Sequence, residues 1–86
     1  MNIKKKIGYK VNKIRIEKGF SQAHLAELSG LDRTYITDIE KGKRNISILV
    51  LEKLAKGLNI DIKVFFDNKD WVNKWIIKIS LIKIHG

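Results

Sequence analysis

The chain has 86 residues, enough for one domain with one core, because a chain this short buries only about 60 to 65% of the surface its unfolded form exposes. Hydrophobic residues make up 44% of it with no Pro and no Cys, so the fold has to stand on packed apolar faces, which points to helices and a reducing compartment. Eighteen Lys and Arg against nine Asp and Glu give a net charge of +9, which attracts polyanions and favours DNA or RNA as a partner.

Lysines 4 to 6 are followed by no continuous apolar stretch, so the N-terminus is not a signal peptide. The apolar-rich stretch from Trp71 to Ile84 is broken by Asn73, Lys74, Lys78, Ser80 and Lys83 and falls short of the ~20 residues of a membrane span. A cytoplasmic protein without a membrane segment is expected.

Ile3, Ile7, Val11 and Ile14 recur on one face of a first helix, with Lys4, Lys5, Lys10 and Lys13 mostly elsewhere, and Gly19 suits its C-terminal end. Ser21 can cap a second helix carrying Ala23, Leu25, Ala26 and Leu28, which Ser29 and Gly30 end. Asp32 can cap a third, with Tyr35, Ile36 and Ile39 at apolar spacing, ending before Gly42. Lys43, Arg44 and Asn45 form a polar loop. Ser47 can cap a fourth helix with Leu49, Val50, Leu51, Leu54 and Ala55, and Asp61 a short fifth with Ile62, Val64, Phe65 and Phe66. The fold class expected is all-α, a compact five-helix domain over residues 1–66, followed by a C-terminal extension over 67–86. In that extension Trp71, Trp75, Ile79 and Ile82 share a helical face, whereas Trp75, Ile77, Ile79 and Leu81 share one side of a strand, and periodicity leaves both open.

From Phe20 to Lys43 the sequence reads FSQAHLAELSGLDRTYITDIEKGK. Two helices crossing at a sharp turn need small side chains where their backbones approach, as Ala26 provides, and a residue tolerant of positive φ, as Gly30 provides. With Gln22, Ile36, Ile39 and the Glu40-Lys41-Gly42-Lys43 exit, this segment resembles the Cro and phage-repressor-like helix-turn-helix family, the xenobiotic-response-element type. The resemblance extends from about Val11 through Phe66. It implies a sequence-specific DNA-binding transcriptional regulator that acts as a homodimer on a two-fold operator in double-stranded DNA.

The resemblance also implies site residues. The recognition helix corresponds to Asp32 to Glu40, with Arg33, Thr34, Tyr35, Thr37 and Asp38 turned to DNA; Arg33 could bond guanine O6 and N7, and Thr34 and Thr37 a thymine methyl or a phosphate. Ser21 and Gln22 open the preceding helix, where free N–H groups suit a phosphate, and Lys41, Lys43, Arg44 and Asn45 would clamp the next phosphates. Arg15 and Glu40 match positions of an internal ion pair. Leu58, Ile60, Ile62 and Phe65 lie around the fifth helix, where relatives dimerise. The stretch from Asp32 to Asn45 further resembles the controller proteins of bacterial restriction-modification systems.

Enzyme readings find little support: His24 and His85 form no cluster, no nucleophile sits in an elbow or triad pattern, and the six glycines are scattered at helix ends rather than in a phosphate loop. No metal, cofactor or catalytic residue is expected. The alternative is an antitoxin-type DNA-binding protein whose tail, through Trp71 and Trp75, holds a protein partner.

Overall fold

The computed structural model describes residues 2–67. The tail readings, helix, strand or partner anchor, and nearly all of the extension 67–86 lie outside the described residues. Within them every regular element is helical: α1 (Ile3–Glu17), α2 (Gln22–Ser29), α3 (Arg33–Glu40), α4 (Ile48–Leu58) and a 3-10 turn (Ile62–Phe66).

Each helix starts at a side-chain cap that accepts one of the N–H groups a helix leaves unpaired. Asn2 accepts from the Lys5 amide, Ser21 from His24, Asp32 from Thr34 and Ser47 from Val50. Gly30 ends α2 in the left-handed conformation, φ 71°, and its N–H donates to the Ala26 carbonyl, so the chain reverses within three residues before Asp32 starts α3.

The expected fifth helix is instead a single 3-10 turn. Asp61 caps it, accepting from the Lys63 amide, but Val64 and Asp67 donate to carbonyls only three residues back. Five residues containing β-branched Ile62 and Val64 are too few and too poor in helix propensity to propagate an α-helix without packing support. What holds the turn is tertiary. Phe65 is fully buried in the core, worth about 2 kcal/mol, and the Lys10 ammonium donates to the Val64 carbonyl at 2.9 Å and to that of Asp67.

The core is built from Ile7, Val11 and Ile14 of α1, Leu25 of α2, Ile36 and Ile39 of α3, Leu51, Leu54, Ala55 and Leu58 of α4, and Phe65. α1 packs mainly on α3, and α2 on α4 and α3. Two expectations about α1 are corrected. Ile3, placed on the apolar face, is exposed in the first turn, while Lys10, placed off that face, is buried. Lys10 is tolerated inside because its hydrogen bonds satisfy carbonyls at the end of the 3-10 turn; burial and the neighbouring Lys6 charge lower its pKa, against an opposing pull from Asp67.

The placing of all glycines at helix ends is also corrected. Gly8 stands in the middle of α1, where a Cβ atom would come within 2.2 Å of the Ile39 carbonyl oxygen and 3.1 Å of that of Glu40. The absence of a side chain lets α1 cross the end of α3 at backbone contact.

Candidate nucleic-acid interface

α3 is held from behind by a network centred on Glu40. Arg15 of α1 donates to it through two nitrogens, Nε to Oε2 at 2.7 Å and Nη2 to Oε1 at 3.0 Å, and also donates Nη1 to the Phe20 carbonyl at 2.8 Å. Asn12 donates to Glu40 Oε1 at 2.7 Å and Gln22 to the same oxygen at 3.2 Å. The Thr37 hydroxyl donates to Gln22 Oε1 at 2.9 Å, which closes the chain of bonds between α2 and α3. Burial by itself would raise the Glu40 pKa, but hydrogen bonds from Arg15, Asn12 and Gln22 and the Arg15 charge outweigh it and hold the carboxyl below its ordinary range.

The network sets the direction of α3 relative to α1 and α2. Asn12 is a member that the sequence reading misses. It precedes Arg15 by three residues, one helical turn, and that spacing is the signal that places both on one side of α1.

The first turn of α3 and the loop after it carry the exposed groups. Arg33 and Thr34 lie exposed in the first turn, directly after the Asp32 cap. Tyr35 is half-buried at the edge of the core, and Thr37 and Asp38 are half-buried. After the helix, the Lys43 amide donates to the Asp38 carbonyl at 3.0 Å, so the exit loop folds back along α3. This brings Arg44 over the Tyr35 ring, 5.1 Å from its centroid, with its Nε 3.3 Å from Asp38 Oδ2. Lys41, Lys43 and Asn45 are exposed around it, and Ser21 is exposed at the start of α2. Gln22 differs from Ser21: its amide is half-buried and bonded to Thr37 and Glu40.

Around the 3-10 turn, Leu58 and Phe65 are fully buried inside the protomer, Ile60 and Ile62 are half-buried, and Phe66 is exposed. Among the described residues no group of His, Cys, Asp and Glu is placed to hold a metal ion, and no helix is long and apolar enough to cross a membrane.

Two short helices joined across a left-handed glycine, the second presenting an arginine and a threonine beside a cationic exit loop, define a helix-turn-helix domain of the DNA-binding regulators. A profile of the helix-turn-helix family matches residues 11–65, and the chain belongs to that family. It is 44% identical over 68 residues to control protein C.MunI of Mycoplasma sp, covering 78% of this chain and 92% of that one. It is 45% identical over 67 residues to control protein C.BamHI of Bacillus amyloliquefaciens, covering 77% and 83%. Among solved structures, the restriction-modification controller protein C.Esp1396I, seen as a tetramer in complex with its natural 35 base-pair operator, superimposes with a TM-score of 0.71 at 45% identity, covering 77% of this chain and 87% of that one.

Proposed function

We propose that this chain is the controller of a restriction-modification system, a cytoplasmic, non-enzymatic regulator whose unit 1–66 binds a two-fold operator in duplex DNA as a homodimer. The observation that carries the reading is the construction of α3: its later turn is anchored by hydrogen bonds through Thr37, Gln22, Glu40 and Arg15, while Arg33 and Thr34 of its first turn are open to solvent. A major groove about 12 Å wide admits one helix, and residues near its N-terminal end then reach base edges. Arg33 offers a bidentate fork to guanine O6 and N7, and Thr34 a methyl and a hydroxyl. Thr37, with its hydroxyl engaged by Gln22, offers its methyl. Lys41, Lys43, Arg44 and Asn45 on the exit side, and Ser21 at the head of α2, fit the phosphates on either side of the groove.

The test is selection of duplexes from a random pool, followed by binding to the selected operator and its single-base variants. Arg33→Ala should lose ~1 to 3 kcal/mol of discrimination at particular base pairs, in both half-sites, whereas Lys43→Ala should weaken all sequences about equally and reduce the salt slope by about one phosphate contact. Uniform weakening by Arg33→Ala would move the reading role to Thr34 and Tyr35.

The dimer in this reading forms at the 3-10 turn through Ile60, Ile62 and Phe66, with Leu58 and Phe65 supporting them from within the protomer. Large exposed aromatics such as Phe66 are common anchors of such contacts. Phe66→Asp should give a folded monomer in sedimentation analysis, and Ile62→Asp should do the same at a further cost in stability because Ile62 also packs on the core. A Phe66→Asp protein that sediments as the wild type would relocate the interface.

A further inference from the structure

An acidic side chain on a DNA-facing helix opposes the phosphates, so its presence on α3 calls for a reason. Asp38 is the only acidic side chain there besides the cap Asp32 and the internally bonded Glu40. Its partner is Arg44, on the exit loop six residues later, which is also seated over Tyr35. The pair is partly open to solvent, with side chains 52% and 28% exposed for Arg44 and Asp38, and pairs of that exposure contribute little to folding. Stability therefore does not account for it.

What the arrangement does is remove freedom from a cation. An unpaired arginine on a loop samples many rotamers and meets any phosphate within reach, which favours all DNA alike. Arg44 is fixed from two directions, by the ring face of Tyr35 and by the Asp38 carboxylate at Nε. The planar guanidinium retains its terminal Nη donors for acceptors on DNA, and a fork held in one orientation gains most where those acceptors stand at the matching position. At the same time, the Asp38 charge subtracts from the counterion-release attraction that drives non-specific binding.

Resting on the DNA-binding reading above, we propose that Asp38 is a specificity-determining residue, a positioning group that orients Arg44 and lowers affinity for non-cognate duplex. It acts through Arg44 rather than on a base itself. Two effects of opposite sign follow for Asp38→Asn: loss of a negative charge strengthens binding to any DNA, and release of Arg44 weakens binding to the operator, so the operator gains less than arbitrary DNA.

The experiment measures equilibrium binding of the full chain to the operator it selects from a random pool and to a scrambled duplex of equal length, at several salt concentrations. Wild type, Asp38→Asn, Asp38→Glu, Arg44→Ala and the double variant Asp38→Asn/Arg44→Ala are compared, with thermal unfolding confirming each fold. Asp38→Asn should bind the scrambled duplex more tightly and lower the operator-to-scrambled ratio about tenfold, while Asp38→Glu keeps most of the ratio. In the Arg44→Ala background, Asp38→Asn should strengthen binding to both duplexes by the same factor and leave the ratio unchanged.

Two results would overturn the proposal. If Asp38→Asn strengthens both duplexes equally with Arg44 present, the carboxylate only repels. If it lowers the ratio as much without Arg44, Asp38 touches a base directly. A wild-type protein that selects no motif from the pool would overturn the DNA-reading function itself, a failure visible before any Asp38 variant is measured.

Discussion

Replacing Glu40 with alanine should cost this domain about 3 to 5 kcal/mol of folding stability, because it strands Arg15 without its counter-charge in a site from which water is largely excluded. The choice of that range over the ~1 kcal/mol of a surface pair rests on exposure: the side chains of Arg15 and Glu40 are 12% and 5% exposed. Asn12 and Gln22 lose an acceptor as well, so the substitution removes the common centre of bonds from α1 and α2. Small domains have total stabilities near the lower end of about 5 to 15 kcal/mol, and Glu40→Ala should therefore keep only about 0 to 2 kcal/mol and populate the unfolded state measurably at physiological temperature. Urea titration followed by circular dichroism measures it. A midpoint within a few tenths of the wild-type value would mean that the network reorganises around water.

The same carboxylate sets an acid sensitivity whose sign follows from linkage. Its folded pKa lies below the ordinary value of 4.5, so its contribution is fully present above that value and is lost as pH falls through the folded pKa. Between about pH 7 and about pH 3 the wild type should lose more stability than Glu40→Gln, which keeps the side-chain shape and has no proton to gain. Parallel pH profiles for the two proteins would remove Glu40 from the acid response.

Gly8→Ala is expected to destabilise, although alanine in place of glycine within a helix ordinarily gains roughly 0.5 to 1 kcal/mol. The new Cβ would stand 2.2 Å from the Ile39 carbonyl oxygen, inside any allowed contact. That atom is backbone and cannot rotate away as a flexible side chain would, so α1 and the end of α3 have to separate by about an ångström. Forced overpacking costs about 1 to 3 kcal/mol and occasionally more, and at so close a backbone approach the upper part of that range applies. The net loss expected is about 2 kcal/mol, read as a lower urea midpoint at unchanged slope. Separation at this crossing also shifts Glu40, the next residue, against Arg15, so Gly8→Ala and Glu40→Ala should be less than additive. A raised midpoint would show that propensity outweighs the contact and that the crossing relaxes freely.

Much of the domain is legible in the amino-acid sequence, and particular residues show why. Ser21, Asp32, Ser47 and Asp61 each stand where a cap forms, because a cap joins groups two or three residues apart and needs no partner from elsewhere. Gly30 can be read as a turn for the same reason. The apolar spacing of Ile7, Val11 and Ile14, or of Ile36 and Ile39, marks a buried face because helical geometry repeats locally. The pairing of Arg15 with Glu40 follows from family resemblance; neither spacing nor composition pairs residues 25 apart.

The elements that sequence reading misses depend on distant chain segments. Lys10 is read as a surface lysine until the carbonyl of Val64, 54 residues on, arrives to accept its hydrogen bond. The five residues after Asp61 carry the cap and apolar spacing of a helix but are too few and too β-branched to propagate one, and the burial of Phe65 and the reach of Lys10 hold them as a 3-10 turn. Leu58 and Phe65, expected around a dimer contact, are fully buried within the protomer, which no local pattern shows. The sequence by itself determined the helices, their caps, the turn at Gly30 and the surplus of positive charge, since all of these are carried by residues within one or two helical turns or by composition. Only the tertiary structure decided where α1 meets α3 at Gly8, what Gln22 and Asn12 hold, and that Asp38 faces Arg44, because those depend on distances between backbone segments that are set when the whole core closes.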